Sequence, residues 1–174
     1  MNKADINECA KSQSPPVRKW LENTNKFMLD NNCRVIGKTV SNSKRTDSKF
    51  TYTSKKSKKT VCIINIGTSG CYISMRANHF IHPNDTITNN ILDELPKDMF
   101  DFVIKGAGCA ACLNSDLSMN INHNCCHGHA ETFTYKGQKS FRCPHYGYNF
   151  DLNQATEYET LTKWIEYELV WKPE

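Results

Sequence analysis

The chain is predicted to be α+β: an antiparallel sheet of about four strands packed with N- and C-terminal helices, plus a cysteine-rich segment. Three observations carry this. Four stretches between Cys33 and Met75 are rich in β-branched and aromatic residues and are joined by short turns, as in an antiparallel meander. Apolar residues recur at helical spacing before and after that region. Five of the nine cysteines crowd into the 35 residues from Cys109 to Cys143.

The first helix begins at Ser14, an N-cap residue, followed by Pro15 and Pro16, whose missing amide hydrogen costs nothing in a first turn. Val17, Trp20, Leu21, Thr24, Phe27 and Met28 then form one apolar stripe down to about Asp30. Asn31 and Asn32 stop it, since asparagine tolerates left-handed backbone. Residues 1–13 read as a flexible polar tail. The expected strands are Cys33–Thr39, Ser48–Ser54, Thr60–Ile66 and Gly70–Met75, with Lys55-Lys56-Ser57-Lys58-Lys59 and Thr68-Ser69-Gly70 as turns. Val61 to Ile66 is apolar at both parities, as a central strand would be.

Asn84 and Asp85 can cap a second helix that points Ile87, Ile91, Leu92 and Leu95 inward and ends at Pro96. Residues 98–105 are a short apolar segment that fits helix or strand equally. Beyond the cysteines, Thr132–Tyr135 and Lys139–Arg142 flank Lys136-Gly137-Gln138 and read as a hairpin. A last helix runs from about Ala155 to Val170, with Tyr158, Leu161, Trp164, Ile165 and Leu169 on one face. The organisation expected is a tail at 1–13, an α+β core at 14–105, a cysteine-rich segment with its hairpin at 106–151, and a helix at 152–174 packing back on the core.

At 174 residues with 39% hydrophobic content the chain can bury a core, which excludes global disorder. No apolar run approaches the roughly 20 residues needed to cross a bilayer, and the first 14 residues lack the apolar middle of a secretory signal. The expectation is a soluble cytoplasmic protein with no membrane partner. In such a reducing compartment an odd number of cysteines argues for metal where they cluster and core where they scatter. Cys9, Cys33, Cys62 and Cys71 are the scattered ones. The net charge of +4 permits an acidic partner without demanding one.

Cys109-Ala110-Ala111-Cys112 after two glycines has the form of a zinc knuckle, in which a tight turn brings two thiolates to one ion. Cys125, Cys126, His127, His129, Cys143 and His145 follow. If Tyr135 pairs with Lys139 across the hairpin, Phe133 faces Phe141 and Glu131 faces Cys143. Cys109, Cys112, Cys126 and Cys143 would then surround one tetrahedral zinc, with Cys125, His127, His129 and His145 as alternates. Four protein ligands make a closed, structural site that contributes to folding. A thioredoxin-like use of Cys109 and Cys112 would need a strand before and a helix after, where the sequence has glycines and a polar loop.

Cys125-x-His127-Gly128, followed after fifteen residues by Cys143-Pro144-His145-Tyr146-Gly147, resembles the two boxes of Rieske iron–sulfur proteins. That resemblance implies a 2Fe-2S cluster and electron transfer. The sequence departs from the pattern at Tyr146, which stands where the second histidine belongs, with His145 one residue early. The helix, four-strand, helix order of residues 15–95 is similar to frataxin-like α+β domains, some of which are proposed iron chaperones. Ile91-Leu92-Asp93-Glu94-Leu95-Pro96, Met99 to Gly106 and Cys109-x-x-Cys112 look like a group of small uncharacterised bacterial proteins with a cysteine-rich C-terminal half. That group has no assigned activity to carry over.

His79 and His82 read as solvated loop residues, and Trp20 and Trp164 as core. Lys55, Lys56, Lys58 and Lys59 could contact phosphates, or serve only as a charged hairpin tip that keeps the strands soluble. No Walker loop, nucleophile elbow, H-E-x-x-H or dinucleotide fingerprint is present. The function expected is that of a non-enzymatic, zinc-stabilised binding or regulatory protein with a small ligand or protein partner. The alternatives are a Rieske-like redox protein or metal carrier, and a nucleic-acid-binding zinc protein.

Overall fold

The computed structural model describes residues 2–41, 46–68, 70–76, 78, 92–93, 97, 100–101, 131–142, 147–154 and 158–170. In chain order the elements are β1 (Asn2–Lys3), α1 (Ile6–Ala10), α2 (Pro15–Asp30), β2 (Cys33–Ser41), β3 (Thr46–Ser54), β4 (Thr60–Gly67), β5 (Gly70–Met75), β6 (Glu131–Tyr135), β7 (Gln138–Arg142), β8 (Tyr148–Asp151) and α3 (Tyr158–Val170). The chain divides into two compact units, Met1–Met75 with Asn149–Glu174, and Arg76–Tyr148. The boundary therefore falls at Arg76 rather than at residue 106. The helix expected over 84–96 lies almost wholly outside the described residues.

The fold is α+β. Strands pair in the order β1-β2-β3-β4-β5-β8, and every pairing from β1 to β5 is antiparallel. The four expected strands are there, and two short ones extend the sheet beyond them. β1 and β8, of two and four residues, are too short to show an alternating pattern. Residues 1–13 are correspondingly not a flexible tail. Lys3 pairs with Lys38, the Asp5 side chain accepts from the amides of Asn7 and Glu8 to cap α1, and Ile6 and Ala10, one helical turn apart, are buried. The polar residues between them mask that pair in composition.

α2 begins and ends as its sequence predicts. Ser14 occupies the N-cap position without a side-chain cap bond, and Asn32 takes the left-handed conformation with φ of 58°. Its inward stripe, Val17, Trp20, Leu21, Thr24 and Met28, is buried. The sheet face beneath carries Cys33, Phe50, Tyr52, Ile64, Ile73 and Met75, all buried, and Tyr52 donates to Asn25 Oδ1 of α2 at 2.9 Å. α3 lies against β4, with Leu161, Trp164 and Ile165 buried, and Phe150 of β8 meets Trp164 edge-on at 5.9 Å. Trp20 joins the two helices by donating Nε1–H to the Tyr158 carbonyl and Thr162 Oγ1, each at 3.2 Å. Among the described residues no helix is long and apolar enough to cross a membrane.

In the second unit β6 and β7 form a separate two-stranded sheet. Their register is Tyr135↔Gln138, Thr134↔Lys139, Phe133↔Ser140, Thr132↔Phe141 and Glu131↔Arg142. The turn is thus the two residues Lys136 and Gly137, not three, and both have positive φ, 47° and 79°. That is the combination whose twist matches paired strands. Expecting a three-residue loop displaced the register by one, so Glu131 faces Arg142 rather than Cys143.

Candidate functional site

The scattered cysteines behave as core. Cys33, Cys62 and Cys71 are 2% exposed or less, and Cys9 is half-buried; all four are free thiols. Cys33 Sγ is 3.9 Å from Met28 Sδ. Burial pushes the Cys33 thiol up to about 11 against a small opposing pull from Lys55. Burial, reinforced by the charge of Asp151, pushes Cys71 up to about 12. Near neutrality these groups are protonated, and a protonated thiol is neither nucleophile nor metal ligand. Among the described residues no group of three or more His, Cys, Asp or Glu could hold a metal ion.

The expected ligands, Cys109, Cys112, Cys126 and Cys143, and their alternates Cys125, His127, His129 and His145, lie outside the described residues, as do His79 and His82. What is described is the hairpin between them. Antiparallel pairing of Glu131 with Arg142 places both open ends of the hairpin together. His129 precedes Glu131 by two residues and Cys143 directly follows Arg142, so the two halves of the cysteine-rich segment attach to the same end. At the other end, Lys136 and Tyr135 both donate to the Asp93 carboxylate. Those two hydrogen bonds, Lys136 first, hold Asp93 below the ordinary carboxylate range. Lys136 also stands 5.0 Å over the Tyr135 ring, a cation–π contact that fixes the turn.

No protein-family model matches the chain, and no curated protein or solved structure is similar to it. Its chemistry is read from its own residues.

The lysine turn is built from inside by serines. Ser57 N–H donates to Ser54 Oγ at 3.2 Å, Lys59 N–H to Ser57 Oγ at 3.3 Å, and Lys58 N–H to the Ser54 carbonyl at 2.9 Å. Ser54 and Ser57 are buried, whereas Lys55, Lys56, Lys58 and Lys59 are exposed. Lys58 closes the turn with φ of 61°. The geometry presents four cations to solvent.

A second basic feature escaped the sequence reading. Lys3 pairs with Lys38, and Lys38 pairs with Lys49, so three exposed lysines stand in register on three adjacent strands. The same row continues through Asn65 of β4 to Tyr72 of β5. The usable signal is parity: Arg34, Ile36 and Lys38 share one face of β2, and Lys49, Thr51 and Thr53 the matching face of β3. Only the register, set by burial of Phe50 and Tyr52 on the opposite face, turns that parity into a row.

Proposed function

We propose that the chain is a non-enzymatic binding or regulatory protein whose second unit is stabilised by a structural zinc held by Cys109, Cys112, Cys126 and Cys143. The observation that carries the reading is the division of the cysteines. Three of the four isolated thiols are buried in the first unit's core, while all five clustered ones belong to Arg76–Tyr148. A polar segment with that many thiols and few apolar residues has its own reason to gain an ion, since coordination supplies folding free energy that a small core does not. The hairpin supports it further by attaching the Cys125–His129 and Cys143–His145 segments to one end. Its register removes the facing of Glu131 and Cys143 from the argument, so Cys143 and His129 compete on equal terms for the fourth position.

Metal analysis of anaerobically purified, untagged protein, with a visible spectrum of the same sample, tests this. One zinc per chain and no colour is the expected result, and Cys109→Ser or Cys112→Ser then unfolds the second unit. Iron with acid-labile sulfide and charge-transfer bands overturns it. In that case the Cys125–His145 boxes hold a 2Fe-2S cluster, His127→Ala removes the colour, and the two knuckle substitutions leave it.

A further inference from the structure

Between Cys33 and Lys59 the chain carries nine lysines and arginines against one aspartate, a segment charge of +8 in a protein whose total is +4. The remaining residues are therefore net acidic, and the positive charge is concentrated in the sequence from β2 to the turn before β4. In the fold this charge is arranged. Lys3, Lys38 and Lys49 are directly opposite one another on β1, β2 and β3, which puts their side chains on one face at the strand spacing of about 4.8 Å. Arg34 lies on the same face of β2 four residues before Lys38, about 13 Å along the strand, with Ile36 between them. Among the described residues no carboxylate forms an ion pair with any of these four. Like charges directly opposite on neighbouring strands are destabilising. Asp47 shares this face of β3 two residues from Lys49, so the face keeps a net positive charge that an anionic partner would balance.

We infer that this face of β1, β2 and β3 is a docking surface for single-stranded nucleic acid, held through its phosphate backbone. The spacing decides the class. Three cations abreast at about 4.8 Å across β1, β2 and β3 match a flexible chain of single negative charges. The row ends in Asn65 and Tyr72, one able to hydrogen-bond a base edge and the other to stack on its face. Beside the row lie the exposed Ile36 and its half-buried partner Thr51, both uncharged. A broad sheet face does not enter the major groove of a duplex, which admits a helix or a two-stranded ribbon. Single strands lie across such sheets instead, because their unstacked bases reach the side chains. The inference gives the proposed binding protein a partner class, and it rests on the first unit alone. Protein that is purified without bound metal and still binds the probes below would sink the zinc reading and leave this one standing.

The test is fluorescence anisotropy with labelled 12-nucleotide oligouridine and oligothymidine on the full chain, from 25 to 200 mM KCl. Both probes are expected to bind at low salt, with affinity falling as salt rises by a log–log slope of about −0.7 for each phosphate engaged. Lys3→Ala/Lys38→Ala/Lys49→Ala should weaken binding at least tenfold at 25 mM KCl and make the slope about 2 units shallower. Lys11→Ala/Lys19→Ala/Lys26→Ala, which removes equal charge from α2 and the residues before it, should leave both nearly unchanged. Circular dichroism melts of each variant establish that it is folded. No binding at 25 mM KCl, or equal losses in the two triple variants, overturns the proposal. So does tighter binding of polyglutamate or of phosphatidylserine vesicles than of either oligonucleotide.

Discussion

Tyr52, in the middle of β3, donates its hydroxyl to Asn25 Oδ1 of α2 at 2.9 Å, and both residues are buried. This hydrogen bond ties α2 to the middle of β3, so it specifies the helix's rotation as well as contributing stability. Burial pushes the Tyr52 hydroxyl well above its ordinary range, so it remains a donor at any pH at which the protein folds.

Tyr52→Phe should therefore cost about 1–3 kcal/mol, because it leaves the Asn25 carbonyl buried without its donor. Urea denaturation is the check: the midpoint should fall with the slope unchanged. Adding Asn25→Leu should recover part of the loss, since removing both partners abolishes the unpaired group. A double variant less stable than the single by the full cost of a core substitution would show that the hydrogen bond was not the cause.

The C-terminal helix should be integral to the first unit rather than an appendage. Trp164 is 1% exposed and meets Phe150, and Trp20 ties α2 to the start of α3. Trp164→Ala is expected to cost about 3–5 kcal/mol, the range for emptying a buried aromatic site. Near-wild-type stability in thermal and urea melts would mean that α3 does not pack on the sheet in solution.

The helix and strands from Pro15 to Met75 were legible because their apolar periodicity is also their burial. Val17, Trp20, Leu21 and Met28 recur at helical spacing and are buried, and the even-numbered positions of β3 from Ser48 to Ser54 are buried. Pairing that depends on few residues was not legible. β1 has two residues, and α1 is held by Asp5 and the Ile6–Ala10 pair, signals too short for any window. The β6–β7 register turned on whether Gln138 belongs to the turn, which composition leaves open because Lys136 takes positive φ without being glycine or asparagine. The lysine row of Lys3, Lys38 and Lys49 joins residues up to 46 positions apart, and only strand pairing brings them together. The cysteines and histidines from Cys109 to His145 were legible as candidate ligands by type and spacing, whereas which of them the proposed zinc would take depends on loop geometry that spacing does not fix.

Stability should be flat from pH 6 to about 8.5 and fall above it. In the unfolded chain a cysteine loses its proton near 9, whereas Cys33 and Cys71 hold theirs to about 11 and about 12 in the fold. Between those limits the folded state binds more protons than the unfolded state, so raising the pH favours unfolding. Cys33→Ala/Cys71→Ala should be less stable at pH 7 through lost packing, yet should decline less steeply between pH 9 and 10.5. Urea midpoints across that range provide the comparison, and parallel curves for the two proteins would sink the assignment. Native protein should also leave both thiols unreacted with a thiol reagent at pH 8 until denaturant is added.

The hairpin register carries a prediction that bears on the metal. With Lys136 and Gly137 alone in the turn, α-proton contacts should join the non-hydrogen-bonded pairs Thr134 with Lys139 and Thr132 with Phe141. The three-residue alternative pairs Phe133 with Phe141 and Tyr135 with Lys139. Two-dimensional NMR of the metal-loaded protein distinguishes them directly. Gly137, at φ of 79°, has no atom within 4 Å of where a Cβ would stand, so a substitution there tests backbone strain and not space. Gly137→Asn should be nearly neutral and Gly137→Val should cost roughly 1–2 kcal/mol, because only the second is forced against its preferred backbone region. If the three-residue contacts appear instead, Glu131 faces Cys143 after all. Cys143 then continues the paired strand, and it becomes a stronger candidate than His129 for the fourth ligand of the proposed zinc.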